Sequence, residues 1–198
     1  MSPKALLRPL ILASTSRYRA ALLERFGIRF NTANPAVDES PLADEAPRDR
    51  ARRLSDAKAD TVAAQYPDAV IIGGDQVAAS GATVLHKPGN AGRCREQLGL
   101  LSASTAEFHT ACSVRCLAAE LALTHVDTTR VKFRALDEAE IARYIEREQP
   151  FDCAGGFKAE ALGISLFERM NSEDPTAIVG LPLIWLAGAL RTAGFAVP

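Results

Sequence analysis

The sequence predicts an α/β protein built on a mixed sheet, and three observations support this. Short apolar runs are followed by segments with helical spacing, as in βα units. Residues 107–118 and 121–134 predict a long antiparallel hairpin, because apolar and basic side chains alternate along the end of the second segment. No repeat, low-complexity stretch or long linker divides the chain. We therefore expect a single domain over residues 1–198.

The N-terminal third predicts one strand followed by two helices. Residues 10–13 are continuously apolar, as expected of a strand buried on both faces. A helix then begins with Ser16 as its N-cap and ends near Gly27, a residue type that commonly terminates helices. A longer helix is predicted over 47–65, with Pro47 near its start and a strongly basic outer face.

A second buried strand is predicted at Val70–Ile72. The glycines that follow, Gly73 and Gly74, are expected to turn the backbone sharply and to leave room beside Asp75. Asp75 would then lie just beyond the end of a strand, where ligands of α/β sheets usually bind.

The remaining elements are predicted from caps, turns and apolar spacing. They are a helix at 90–101 capped by Asn90, a helix from Asp137 to about Glu148 opened by a capping box with Glu140, a loop at 151–156, a short strand at 164–166, and a final helix after Pro182 that ends near Gly194.

The charge balance argues against nucleic-acid and membrane partners. Lys and Arg number 23 and Asp and Glu number 24, so no global field draws the chain to an anionic surface. No window approaches the ~20 apolar residues needed to span a bilayer. The apolar N-terminal stretch is interrupted by Arg8 and Pro9, which favours a strand over a signal peptide. We therefore expect a cytoplasmic protein.

The cysteines predict neither a zinc site nor a disulfide. Cys94, Cys112, Cys116 and Cys153 form no CxxC pair and no Cys/His cluster at zinc-ligand spacing. Cys112 and Cys116 lie on one predicted strand, where residues four apart are roughly 13 Å from each other. All four are expected to be reduced thiols of the core.

The segment Ser14–Arg19 offers a candidate phosphate site. It places three small hydroxyl residues and two arginines at a strand-to-helix turn. Backbone N–H groups at a helix N-terminus, together with Arg19, suit phosphate oxygens. The alternative is that Ser16 merely caps the helix, since caps are far commoner than phosphate sites.

Five further charged residues complete a candidate hydrolytic site. Asp75 can hold a divalent cation or take a proton from an attacking water. Asp38 and Glu39, in the sequence Val-Asp-Glu, add two carboxylates that can complete a Mg²⁺ site. Lys58 and Lys87 can offset phosphate charge. Each residue could instead be a turn cap or a solvated charge. Together they supply the metal-binding carboxylates, the cations and the base for water that cleavage of a phosphoanhydride requires.

Six separated segments carry a family resemblance. They are LILASTSxxR, VDE, ARRLSDAKA, IIGGDQ, HKPG and CAGGFKAEALGISLFERMNSEDPTAIVGLPL. In this order they resemble the Maf family of nucleotide pyrophosphatases from about Leu10 to Leu190. The resemblance implies an elongated fold of the Maf and inosine triphosphatase type, with two lobes around a central cleft. It also implies hydrolysis of a nucleoside triphosphate to the monophosphate and pyrophosphate with Mg²⁺ or Mn²⁺.

The resemblance also implies roles for single residues. The catalytic set is Asp75, Lys58 and Lys87, the metal ligands are Glu39 and Asp75, and the phosphate-binding residues are Ser14 and Arg19.

Three positions indicate which base is bound, and they resemble the family branch that acts on 7-methyl-GTP. They are Tyr18, Gln76 and Glu160. A carboxylate such as Glu160 can accept two hydrogen bonds from the N1–H and N2 amine of guanine, whereas uracil and thymine present oxygens that would repel it. The ring of Tyr18 can stack on the positively charged N7-methylated purine, or it can simply pack on its own helix.

The chain departs from that branch at two places. Arg17 and Tyr18 replace a Pro-Trp pair, and Ala161 replaces a glycine that often follows the specificity glutamate. Two alternatives therefore stay open: hydrolysis of dTTP, UTP or another modified nucleotide, and a nucleotide-responsive regulator of cell division or septum formation. The resemblance implies a small-molecule nucleotide as the partner and a homodimer as the usual assembly.

Overall fold

The computed structural model describes residues 8–198 and shows a mixed α/β architecture. In this part of the chain one sheet holds seven strands: β1 Leu10–Ala13, β2 Asn31–Ala33, β3 Val70–Ser80, β4 Thr83–Leu85, β5 Thr105–Cys116, β6 Leu121–Phe133 and β7 Phe167–Asn171. The helices are α1 Arg17–Glu24, α2 Pro47–Gln65, α3 Ala91–Leu101, α4 Glu138–Glu148 and α5 Leu183–Thr192.

The sheet order is β2-β1-β3-β5-β6-β7, with β4 paired to β3. β1 runs parallel to β2 and β3, whereas β5 pairs antiparallel with both β3 and β6. The predicted mixed sheet and the long β5–β6 hairpin are therefore confirmed. The predicted caps are also present: the side chains of Ser16, Asn90 and Asp137 each accept a backbone N–H at the start of a helix.

Two apolar clusters lie at opposite ends of the long strands β3 and β5. The first packs α1 and α5 against β1 and contains Leu12, Leu23 and Leu186. The second packs α3 and α4 against the other end and contains four edge-to-face phenylalanines, namely Phe108, Phe133, Phe157 and Phe167. Because β3 and β5 pass through both clusters, their middles lie where the two lobes meet.

The prediction that the second strand ends before the glycines is wrong. β3 continues to Ser80, and Gly73 and Gly74 pair in register with Ser113 and Cys112 of β5. Neither glycine turns the chain. A Cβ at Gly73 would overlap the carbonyl oxygen of Ser55, so this glycine lets α2 lie directly on the strand.

The prediction of a strand at 164–166 is also wrong. Residues Leu162–Leu166 form a short 3-10 helix, and the strand, β7, begins only at Phe167. Short apolar runs do not distinguish a strand from a helical turn. An added Cβ at Gly163 would overlap the carbonyl oxygen of Lys158, so a glycine lets the chain pass close to itself in this turn.

The cysteines are free thiols, as predicted, but not all belong to the core. Cys94, Cys112 and Cys116 are buried, whereas Cys153 is only partly buried. Over residues 8–198, no helix is both long and apolar enough to cross a membrane.

Candidate active site

A cavity of about 580 Å³ opens between the two lobes, a volume typical of small-ligand sites. Asp38 does not line it, but the cavity brings together all nine residues to which the family resemblance gave a role in catalysis, metal binding or substrate binding. These are Ser14, Tyr18, Arg19, Glu39, Lys58, Asp75, Gln76, Lys87 and Glu160. The residues come from three helical or strand elements and from four loops, so their proximity is a property of the fold.

Asp75 lies in the middle of β3 and forms the floor of the cavity. It pairs in register with Ala111 of β5, and only 7% of its surface is exposed. Lys58, also 7% exposed, reaches it from α2 and donates to Asp75 Oδ1 at 2.7 Å. The same ammonium group lies 2.6 Å from Glu39 Oε1, so one lysine joins the two carboxylates.

Lys58 therefore lies on the buried side of α2, and not on its basic outer face. The helix packs its small residues on β3, and Gly73 allows the closest approach: a Cβ there would lie 2.8 Å from the Cβ of Ala59. A lysine on this side of α2 is directed at the strand that carries Asp75. Gly73 thus allows α2 to bring Lys58 close to Asp75, and it does not bend the strand.

Burial raises the pKa of the Asp75 carboxyl above its usual value, although the charges of Lys58 and Arg19 oppose this. Glu39 behaves differently. Partial burial would raise its pKa, but the hydrogen bond and charge of Lys58, with Arg19 and Lys87, outweigh burial and lower it. The site therefore holds one carboxylate that binds a proton more readily than usual and one that stays ionised.

The turn before α1 forms one wall of the cavity. Arg19 donates from Nε to the carbonyl of Gly180 at 3.1 Å and from Nη1 to Ser14 Oγ at 3.3 Å. Ser16 caps the helix through the backbone N–H of Arg19, which is the commoner of the two roles considered for it. Gly74 leaves space for Arg19, because a Cβ there would lie 3.2 Å from the arginine Cδ.

Lys87 is exposed at the rim, and its positive charge acts on Glu39. It also lines a second cavity of about 370 Å³. Glu39, Asp75 and Gln76 line both cavities, so the two spaces meet at the carboxylates.

Gln76 uses its amide nitrogen to hold the chain rather than to face the cavity. Nε2 donates to Thr110 Oγ1 at 2.9 Å and to the carbonyls of Ala177 and Ile178 at 3.1 and 3.0 Å. These contacts tie β3 to the 177–180 turn, which lines the cavity. The structure thus assigns this side chain a positioning contact that the sequence did not indicate.

Glu160 lies on an exposed turn that lines the first cavity but not the second, whereas Lys87 lines both. The turn is anchored to α4, because Lys158 Nζ donates to Glu148 Oε1 at 3.0 Å and Leu162 N donates to Glu148 Oε2 at 3.0 Å. Ala161 has φ −131°, so replacing a glycine there needs no left-handed backbone. Within residues 8–198, no protein group hydrogen-bonds the Glu160 carboxylate.

Sequence reasoning missed Asp152, which lies at the cavity mouth. Both its carboxylate oxygens accept from Tyr18 Oη, at 3.2 and 3.0 Å. Arg17 Nη2 donates to Asp152 Oδ2 at 3.1 Å and to Tyr18 Oη at 2.9 Å. Burial would raise the pKa of Asp152, but its hydrogen bonds and the charge of Arg17 lower it. The available signal was a charged residue directly before the Cys-Ala-Gly-Gly turn.

Cys153 adjoins the same group, with Sγ 3.7 Å from Tyr18 Oη. Burial raises the pKa of its thiol to about 11, which favours the protonated thiol over the nucleophilic thiolate at neutral pH. The charges of both Asp152 and Glu160 act on this thiol, which places the two carboxylates at the same end of the cavity.

The carboxylates fit Mg²⁺ bound jointly with a substrate. Among residues 8–198, no three His, Cys, Asp or Glu side chains cluster as a complete metal cage. Mg²⁺ needs none, because it is commonly held by one or two carboxylates, waters and phosphate oxygens. Lys58 engages only one oxygen of Glu39 and one of Asp75, so the second oxygen of each can serve as a ligand.

The family model described as Maf-like protein matches residues 9–193. Three similar relatives are each named 7-methyl-GTP pyrophosphatase. The protein from Xanthomonas axonopodis pv. citri is 52% identical over 96% of this chain and 98% of its own length. Those from Aromatoleum aromaticum and a Polaromonas species are 49% and 47% identical, over 96% of this chain and 97% and 87% of their own lengths.

Proposed function

This chain belongs to the Maf-like protein family, and from that premise we propose that it hydrolyses 7-methyl-GTP to 7-methyl-GMP and pyrophosphate, removing a modified nucleotide from the pool. The observation that carries the proposal is the convergence of all nine candidate residues on one cavity, centred on the Glu39–Lys58–Asp75 group. The names of relatives at about 50% identity support the substrate.

In the proposed reaction, Asp75 takes a proton from a water that attacks the α-phosphorus. The new P–O bond forms as the α–β bridging P–O bond breaks, and pyrophosphate leaves with the bridging oxygen. A raised pKa suits Asp75 to this task, because a base works best when its pKa lies near the working pH. Lys58 holds the carboxylate in place through the 2.7 Å hydrogen bond.

Glu39 and Asp75 would hold the divalent cation, Mg²⁺ or Mn²⁺, which supplies charge neutralisation at the phosphate oxygens. Arg19 and Ser14 offer a guanidinium and a hydroxyl on one wall of the cavity, and Lys87 adds positive charge at the rim. These groups match the charge that develops during phosphoryl transfer.

The base end is proposed to bind guanine through Glu160, whose carboxylate is free to accept the N1–H and N2–H groups. Tyr18 supplies a ring for stacking on the methylated purine. We also propose the cytoplasm as the location and a homodimer as the assembly, as is usual for the family.

The test is product analysis with 7-methyl-GTP, GTP, dTTP and UTP in the presence of Mg²⁺, with and without a chelator. We expect 7-methyl-GTP to have the highest kcat/KM and to yield monophosphate and pyrophosphate in equal amounts. A preference for dTTP or UTP would transfer the proposal to those nucleotides and refute the role of Glu160. Binding of nucleotide without any pyrophosphate release would favour the regulator of cell division, the alternative that the family's history suggests.

A further inference from the structure

The ion pair between Arg17 and Asp152 is not explained by stability. Their side chains are 74% and 50% exposed, and exposed pairs contribute little to the free energy of unfolding. The two residues are 135 positions apart and come from the start of α1 and from the loop after α4, which face each other across the cavity mouth. The pair therefore sits where a base would enter.

The same two residues surround the ring proposed to stack on the base. Tyr18 donates its hydroxyl proton to Asp152, and the Arg17 guanidinium carbon lies 4.9 Å from the Tyr18 ring centroid. Arg17 is thus a permanent positive charge beside the ring, and Asp152 is the negative charge that balances it. With both present, the mouth carries no net charge from this pair.

We propose that the Arg17–Asp152 pair sets the charge preference of the base end, so that Asp152 is a specificity-determining residue for a cationic, N7-alkylated purine. The inference rests on the proposed function, since it assumes that the base lies beside Tyr18. An unbalanced Arg17 would repel the positive charge of the methylated base. An unbalanced Asp152 would attract it, and would act together with Glu160 at the same end of the cavity.

If the charges of the pair set the preference, two variants that each remove one charge should shift the selectivity in opposite directions. The measured quantity is the ratio of kcat/KM for 7-methyl-GTP to kcat/KM for GTP. Effects of a variant on triphosphate binding, on metal binding or on the fraction of active enzyme are common to both substrates and cancel in this ratio. Asp152→Asn should lower the ratio about two- to fivefold, and Arg17→Gln should raise it by a similar factor. The double variant should return to within about twofold of the wild-type ratio.

A positioning role for the pair predicts a different pattern. If the pair only held Tyr18 in place, both single variants would lower the ratio, and the double variant would not recover. Salt gives a second readout, because screening between about 0.05 and 0.5 M should bring all three ratios towards the wild-type value.

The matched controls are Arg143→Gln and Glu146→Gln, which remove the same charges from exposed positions of α4 that do not line the cavity. They should leave the ratio unchanged. Equal shifts in the controls, or single-variant ratios that move in the same direction, would overturn the inference. Its failure is distinguishable from failure of the proposed function, since the latter would appear as an absence of pyrophosphate release in the wild-type protein.

Discussion

The parts of the cavity that we propose for catalysis and for base binding are built in different ways. At the proposed catalytic end, Asp75 and Lys58 lie on a strand and a helix, are almost fully buried, and hydrogen-bond each other. At the proposed base end, Asp152 and Glu160 lie on turns and are exposed. A buried site on regular elements fixes charged groups where phosphate chemistry needs them. An exposed site on turns can change its charge without repacking a core, so base selectivity can vary while the chemistry is kept.

The strongest test of the catalytic end is Asp75→Asn, which keeps the shape of the side chain and removes the proposed base. We expect kcat to fall about 10²–10⁴-fold, the usual contribution of a general base, with a much smaller change in KM. Lys58 keeps Glu39 as a charged partner at 2.6 Å, so the variant should still fold, which thermal unfolding checks. Retained turnover would refute the role of Asp75, and a large loss of stability would make it structural.

A second test asks whether Gly73 is needed for the close packing of α2 on β3 or for backbone flexibility. Gly73→Ala should lower the free energy of unfolding by about 1–3 kcal/mol, because the added methyl group overlaps α2, and kcat should fall as Lys58 is displaced. Urea unfolding and initial rates measure both effects.

The control is Gly99→Ala in α3, where an added Cβ meets nothing within 4 Å. This variant should be more stable by about 0.5–1 kcal/mol and fully active, since alanine is the better helix former. If both substitutions behaved alike, the close approach of α2 would not explain Gly73.

The sequence predicts features that depend on local spacing and motifs, but not those that depend on contacts between distant residues. The strands, helices and caps follow from local spacing, and Asp75 and Lys58 were nominated from motifs. The sequence did not predict that β3 continues through Gly73 and Gly74. A glycine pair is equally compatible with a turn and with close packing, and only the position of α2 on the strand distinguishes the two. Asp152 was missed because its significance depends on contact with Arg17 and Tyr18, over 130 residues away.

At the base end, Glu160→Gln should affect selectivity more than chemistry. The amide offers one acceptor and presents a donor to guanine, so one charge-assisted hydrogen bond is lost and a repulsion is added. We expect kcat/KM for 7-methyl-GTP relative to UTP to fall about tenfold, with folding unaffected. Glu146→Gln, on an exposed face of α4, is the matched control. A fall in kcat that is the same for every nucleotide would instead indicate that Glu160 acts in catalysis and not in base selection.

The smallest effect is expected from Glu45→Gln, which tests how the loop that carries Glu39 is held in place. Arg50 and Arg53 of α2 donate to the carbonyls of Glu39 and Ser40, and Arg53 also binds both carboxylate oxygens of Glu45, at 2.5 and 2.8 Å. The hydrogen bond from Arg53 lowers the pKa of Glu45 from 4.5 to about 2.

Because the pKa of Glu45 is lowered in the folded state, the ion pair stabilises the folded protein fully above pH 4.5. Its contribution to the free energy of unfolding is lost as the pH falls towards 2. Urea midpoints of wild type and Glu45→Gln should therefore differ slightly at pH 7 and converge as the pH falls below 4.5. Because Arg53 links Glu45 to the loop that carries Glu39, the variant should also need more Mg²⁺ for half-maximal rate. A constant stability gap at all pH values would show that the Glu45 charge does not hold this loop.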